Sequence, residues 1–277
     1  MKPELLYLNL MKKSLTRFGE DSLVPITCSG APLTRFLKRM FVDAIARRRL
    51  ELLRRVPFDR EKRETGRDFP RDVPSGAMTM IGMKRLDNLQ ACIDAIVRED
   101  VPGDLVEAGV WKGGASIFMR GALAAFGDQH RLVWCADSFQ GLPAPDLAKY
   151  PQDSDVDWHE DTWLAISLDQ VKDNFRAYGL LDERVRFLPG WFKDTLPGAP
   201  IETISLLRLD GDMYESTMDT LTALYPKLSP GGFIVVDDYG IPQDTCRRAI
   251  HDFRDANAIS EPILDIDGWG AFWRRAG

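Results

Sequence analysis

The feature that most constrains this chain is an alternation that begins at Asp104. From there, short apolar runs take turns with longer stretches of helical periodicity. DLVEAGV, starting at Asp104, reads as a strand, and Gly113–Phe126 as a helix. RLVWCAD (131–137) is a second strand, followed by a long loop, a helix over 163–178 and the strand VRFLPG (185–190). ISLLRLD (204–210), a helix over Ser216–Leu228, GGFIVVDD (231–238) and a helix over Asp244–Ala256 continue the pattern. PILDI and GAFWRR close it with no helix between them. This order predicts a doubly wound, mostly parallel α/β sheet whose last two strands form an antiparallel hairpin at one edge. In such sheets ligands bind at the carboxyl ends of the strands, near the switch in strand order.

The chain divides near residue 103. Before it the pattern is helical and loop-rich: a helix over 4–18, another over 33–55 and a third over Met83–Arg98. Leu33, Phe36, Leu37, Met40, Phe41, Ala44 and Ile45 give the second helix its apolar stripe. Pro57–Pro74 reads as a polar linker. Between Arg35 and Arg71 there are 13 basic and 6 acidic residues. This charge reads as a solvated helix face followed by a polar linker, in preference to a site for an anionic partner or a membrane surface.

With 277 residues and a net charge of −6, the chain has ample material for a core and lacks the basic surface of a nucleic-acid binder. No apolar run approaches the roughly 18 residues of a membrane span, and the charged start lacks a signal-peptide centre. The four cysteines, Cys28, Cys92, Cys135 and Cys246, have neither zinc nor redox spacing. The expectation is a cytoplasmic protein in a reducing compartment. The N-terminal amphipathic helices offer a seam for a homo-oligomer.

The first strand ends Glu107-Ala-Gly109-Val-Trp-Lys-Gly113-Gly114-Ala-Ser116. Glycines at a strand-to-helix turn let the backbone approach a ligand. The spacing is not GxGxxG. The second strand ends at Asp137, placed to meet ribose hydroxyls. Two acids here disfavour phosphates and favour a cofactor with a ribose and a positive centre. S-adenosylmethionine fits, with its sulfonium and ammonium groups. Ser138 and Gly190 lie at the corresponding loop positions. Trp191 and Phe192 stand either as flanks for an adenine ring or as core aromatics.

The fourth strand ends Arg208-Leu-Asp210-Gly-Asp212, and the fifth ends Val-Val-Asp237-Asp238-Tyr239. Adjacent parallel strands put their ends about 5 Å apart, so Asp210, Asp237 and Asp238 can converge. Converging carboxylates repel unless a positive charge lies between them. An all-oxygen set suits a hard cation such as Mg²⁺. Aspartate at a strand end also caps helices, but this many acids at two neighbouring ends exceed what capping needs.

EAGVWKGGAS, ADSFQGLP, PGWFKDTLP, LLRLDGDMYESTMDTLTALYPKLSPGGFIVVDDY and MTMIGMKRLDNL resemble the macrocin O-methyltransferase family, whose members methylate deoxysugar hydroxyls. The resemblance covers roughly residues 74–275 and is most specific from Arg208 to Tyr239. It implies a class I methyltransferase (Rossmann-like) fold: a seven-stranded, mostly parallel sheet with an antiparallel edge strand, plus N-terminal helices. Residues 1–75 would be a helical extension and linker, and 76–277 the methyltransferase domain. The implied metal ligands for Mg²⁺ are Asp210, Asp237 and Asp238. The implied S-adenosylmethionine set is Thr79, Met80, Glu107, Gly109, Ser116, Asp137, Ser138, Gly190, Trp191 and Asp210. Thr79 and Met80 lie in the segment that closes over the methionine end.

The sequence departs from the similar catechol-type enzymes, which carry a lysine base just after the acidic end of the fourth strand. Gly211-Asp212-Met213-Tyr214 has none. Asp212 is the first choice for the base. His159, in the acidic loop 153–161, is the second. That loop reads either as a solvated segment or as a lid over the substrate; it lacks the glycine of an EF-hand. His130 and His251 read as surface residues. The expected activity is Mg²⁺-dependent O-methylation of a small-molecule glycoside of the kind found in antibiotic biosynthesis. The alternatives are an aromatic-diol O-methyltransferase and a silent cofactor-binding module.

Overall fold

The computed structural model describes residues 2–25, 40, 53–65, 73–74 and 76–277. Its main sheet has seven strands: β3 (Asp104–Ala108), β4 (Val133–Asp137), β5 (Val185–Pro189), β6 (Ile204–Leu209), β7 (Leu228–Val236), β8 (Leu264–Asp265) and β9 (Ala271–Arg274). The order is β5-β4-β3-β6-β7-β9-β8. The first five run parallel, and β9 pairs antiparallel with both β7 and β8. The edge hairpin is therefore where the missing helix between the last two strands put it. A separate two-stranded sheet joins β1 (Ser22–Pro25) to β2 (Leu53–Val56).

Strand residues alternate between two cores, as the period of a pleated strand requires. Leu105, Cys135, Leu206, Phe233 and Val235 enter one, while Val106, Trp134, Ala136, Leu207 and Ile234 enter the other. The first is covered by α1 (Pro3–Thr16), α3 (Met83–Arg98), α4 (Gly114–Ala125) and α5 (Leu168–Ala177). On α3 the buried Leu86, Leu89, Ile93 and Ile96 recur at helical spacing. The second core lies under α7 (Tyr214–Leu224) and α8 (Thr245–Ala256), with the short α6 (Phe192–Thr195) at its edge. Leu8, Met11 and Leu15 of α1 belong to the first core, so the start of the chain packs into the same body as the sheet.

Three expectations change. The helix expected over 33–55 lies mostly outside the described residues, but its last residues, 53–55, fall in strand β2. Val56 precedes Pro57, and a residue before proline is steered away from helical backbone. The expected linker contains α2 (Arg60–Thr65). The helix expected from 163 begins at Leu168, because Ser167 caps it by accepting the Gln170 N–H at 3.3 Å. Cys92, Cys135 and Cys246 are buried free thiols; Cys28 lies outside the described residues. Among the described residues, no helix is long and apolar enough to cross a membrane.

Candidate active site

A cavity of about 490 Å³ opens at the carboxyl ends of β3, β4, β6 and β7. The strand register dictates what meets there. Glu107 on β3 stands opposite Arg208 on β6, which stands opposite Val235 on β7. Asp210 and Asp237 follow Arg208 and Val235 by two positions and so continue on the same face. Arg208 is 1% exposed. Its Nη1 donates to Glu107 and to Asp210 Oδ2 (2.6 Å), and its Nη2 to Asp237 Oδ1 (2.6 Å). From α3, Arg85 Nη1 donates to the other oxygen of Asp237 at 2.7 Å.

These contacts divide the acids into two groups. Burial opposes ionisation of Asp237, but Arg208 and Arg85 outweigh it and hold its carboxyl below the usual range. Burial raises Asp210 to about 6 even though Arg208 pulls the other way, and Asp237 adds to the rise. Burial, then Asp210 and Asp237, push Asp212 well up. Burial, then Asp212 and Asp210, do the same to Asp238. Neither Asp212 nor Asp238 has an ion-pair partner among the described residues. Glu107, Asp210 and Asp237 thus share two guanidinium groups, one of which also serves Asp267, and Asp212 and Asp238 stand beside them as surplus acids. Asp210, Asp237 and Asp238 each offer an oxygen within 4.8 Å of the others, close to the roughly 4–5 Å across opposite ligands of a hard cation. The set therefore fits a divalent ion in both charge and spacing.

The other half of the cavity is built on the turn after β3. Gly109 has φ +94°, and a Cβ there would lie 1.7 Å from the Asp210 carbonyl oxygen. Only glycine allows β3 and β6 to close at this point. Asp137 Oδ2 accepts the N–H of Val110 (2.7 Å) and of Trp111 (3.3 Å), and its Oδ1 accepts that of Phe139 (2.7 Å). Asp137 thus shapes the turn as well as lining the cavity. Glu107 is 1% exposed. Burial raises it to about 7 against the pull of Arg208 and the Ser116 hydroxyl.

The whole chain carries this arrangement into a known group. The macrocin O-methyltransferase (TylF) family matches residues 4–275. The chain belongs to that family. It is 49% identical over 270 residues to the 8-demethyl-8-(2,3-dimethoxy-alpha-L-rhamnosyl)-tetracenomycin-C 4'-O-methyltransferase of Streptomyces olivaceus, covering 97% of this chain and 92% of that one. It is 52% identical over 228 residues to the mycinamicin III 3''-O-methyltransferase of Micromonospora griseorubida, covering 81% and 87%. The solved structure of the O-methyltransferase NovP shares 43% identity at a TM-score of 0.80, over 99% of this chain and 100% of that one. The chain is an S-adenosylmethionine-dependent O-methyltransferase.

Within the family's frame, the candidate residues fall into three positions. Thr79, Met80, Glu107, Gly109, Asp137, Ser138, Gly190, Trp191, Asp210, Asp212, Asp237 and Asp238 all line the one cavity. Ser116 does not. It is fully buried beneath Glu107 and donates its hydroxyl to that carboxylate, so it supports the site from behind. His159 is exposed and is not part of the cavity wall, whereas its neighbours Trp158 and Asp161 are. That geometry leaves Asp212 as the candidate base at the cavity. Phe192 lines the cavity and also packs against the second core.

The acidic loop has an anchor that its charge pattern concealed. Asp153 is 0% exposed and accepts the N–H groups of Tyr214 (2.7 Å) and Glu215 (3.1 Å), capping α7. His130 is exposed; His251 is too, but its Nε2 lies 2.9 Å from the Tyr239 hydroxyl. Sequence reasoning missed Arg208, Arg85 and Asp267. The available signal was an arginine inside an otherwise apolar central strand, which cannot be buried without partners.

Proposed function

We propose that this chain methylates a hydroxyl of a sugar, a deoxysugar on a glycosylated natural product, with Mg²⁺ held by Asp210, Asp237 and Asp238. The observation that carries this reading is the surplus of buried carboxylates over guanidinium groups beside an acid-lined cofactor cavity. Relatives named for methylating a rhamnosyl tetracenomycin and mycinamicin III support the acceptor class.

The roles follow from the side chains. Glu107 and Asp137 would hold the cationic and ribose groups of the cofactor, and Thr79 and Met80 would close over its methionine end. Ser138, Gly190 and Trp191 would border the nucleoside. A divalent ion bound at the three aspartates would acidify the sugar hydroxyl and stabilise the developing alkoxide. Asp212 would accept that hydroxyl's proton at a carboxylate oxygen. Its backbone is pinned for the task in the left-handed region, φ +59°. The Asp212 N–H donates to Asp238 Oδ2 at 3.2 Å, and its carbonyl accepts the Thr245 hydroxyl at 2.9 Å. Fixing the attacking oxygen in line with the methyl group supplies much of the acceleration in such reactions.

The test offers the enzyme labelled S-adenosylmethionine and Mg²⁺ with a panel of rhamnosides and other 6-deoxyhexosides beside a panel of catechols. Label on a deoxyhexoside hydroxyl is the expected result. Label on catechols alone would replace this reading with the aromatic-diol one.

A further inference from the structure

The Asp210, Asp212, Asp237 and Asp238 carboxylates form only the floor of the acceptor end, and a sugar presents more than hydroxyls. Its ring carries C–H bonds on its faces, which pack well on the electron-rich face of an aromatic ring.

The topology brings such a ring to the acceptor end. Because β9 runs antiparallel to β7, Ala271 at its start pairs with Val236 at the end of β7. The residues just before Ala271 therefore overhang the acids. Trp269 is among them and lines the same cavity as Asp212 and Asp238. On the far side of the sheet, β4 and β5 carry the cofactor residues.

The Trp269 peptide is held from both sides. Its N–H donates to Asp267 Oδ1 at 3.0 Å, and its carbonyl accepts the Gly240 N–H at 2.8 Å. Gly240 must be glycine for this approach, since a Cβ would lie 2.2 Å from the Gly268 carbonyl oxygen and 2.8 Å from Trp269 Cα. Asp267 is buried, also accepts the Gly270 N–H at 2.8 Å, and receives Arg85 Nε at 2.9 Å. Arg85 holds Asp237 with its other arm. One buried chain of ion pairs thus fixes the backbone of Trp269 relative to an acid of the cation site. A recognition group set on so rigid a support holds its geometry with little entropic cost. Ile241 and Pro242 extend the apolar wall beside it.

We propose that Trp269 is the stacking platform for the acceptor's sugar ring and a determinant of specificity for sugars over flat diols. It presents an apolar face while the aspartates take the hydroxyl edge. This rests on the sugar-acceptor reading above.

The test uses the full chain with Mg²⁺ and methyl α-L-rhamnopyranoside as the probe. Kinetics are run with S-adenosylmethionine, and saturation-transfer NMR with S-adenosylhomocysteine. Trp269→Ala should raise the KM for the rhamnoside about tenfold and erase saturation transfer to its ring C–H protons. The dissociation constant for S-adenosylhomocysteine should stay within about twofold. Trp269→Phe, which keeps an aromatic face, should recover most of the loss. A Trp269→Ala enzyme with the wild-type KM would overturn the platform, as would one losing cofactor and acceptor binding together. If the wild-type enzyme neither binds nor methylates any hexopyranoside, the acceptor reading itself fails and the platform falls with it.

Discussion

Arg85 Nη1 and Asp237 Oδ2 lie 2.7 Å apart in a buried ion pair, although 152 positions separate them in the chain. The pair ties the helix covering one face of the sheet to the tip of β7. Arg208 takes the other oxygen of Asp237, so each oxygen accepts from one guanidinium and keeps a second lone pair for a ligand. A carboxylate held this way keeps its charge in a buried site, which explains why Asp237 alone among the cavity aspartates is lowered.

Arg208 should matter most to stability. Replacing it with methionine leaves Glu107, Asp210 and Asp237 buried without their shared counter-ion. Losing one partner of a buried pair costs about 3–5 kcal/mol. Urea unfolding of Arg208→Met should show a loss of that size, and millimolar Mg²⁺ should restore part of it. Arg208→Lys should also lose stability, because an ammonium cannot fork between strands. A wild-type midpoint for the methionine variant would refute the shared counter-ion.

The turn at Gly109 is a second sharp point. Gly109→Ala places a methyl group 1.7 Å from the Asp210 carbonyl oxygen and forces an L residue to φ +94°. The strand ends must part. Calorimetric binding of S-adenosylhomocysteine should be lost along with thermal stability. Unchanged binding by the alanine variant would mean that the two strands do not need this close approach.

Cofactor affinity should depend on pH through Glu107. Its carboxyl is raised by burial from the ordinary glutamate range to about 7. The sign follows from linkage. A raised carboxyl contributes stability that is full below its unfolded value and lost as pH climbs through about 7. The ammonium group of a bound ligand reverses the preference, because it needs the ionised form. S-adenosylhomocysteine should bind more weakly at pH 6 than at pH 8, and Glu107→Gln should bind weakly and without that slope. A flat wild-type profile would place the cofactor's ammonium elsewhere.

Asp212→Asn keeps the size of the side chain and removes the base. The turnover number should fall about 10²- to 10⁴-fold, the usual range for a general base, with S-adenosylhomocysteine affinity unchanged. Wild-type turnover would hand the proton to solvent, since His159 lies outside the cavity wall.

The strand ends were legible because short apolar runs ending in acids, followed by glycine or a helical pattern, state both where a strand stops and what it presents. Glu107, Asp137, Asp210 and Asp237 all came from that logic. Arg208 stood in plain view within ISLLRLD, yet its partners on β3 and β7 depend on strand order, which the sequence does not spell out. Arg85 and Asp267 are further from legible, being joined only when α3 and the edge hairpin meet over β7. Asp153 was hidden for another reason. Its neighbours are solvated acids, and only the position of α7 distinguishes the buried cap from the exposed charges around it. Strand β2 was misread as the end of a helix because the apolar stripe from Leu33 to Ile45 was extended to residue 55, and the proline after Val56 carried the better information.

The most direct test of the central claim is methyl transfer to a deoxyhexoside after exhaustive chelation, followed by stepwise return of Mg²⁺. The aspartate cluster predicts activity at background in excess EDTA and recovery as Mg²⁺ is restored, with no recovery in an Asp238→Asn variant. Full activity in the chelator would contradict the assignment of Asp210, Asp237 and Asp238 as cation ligands.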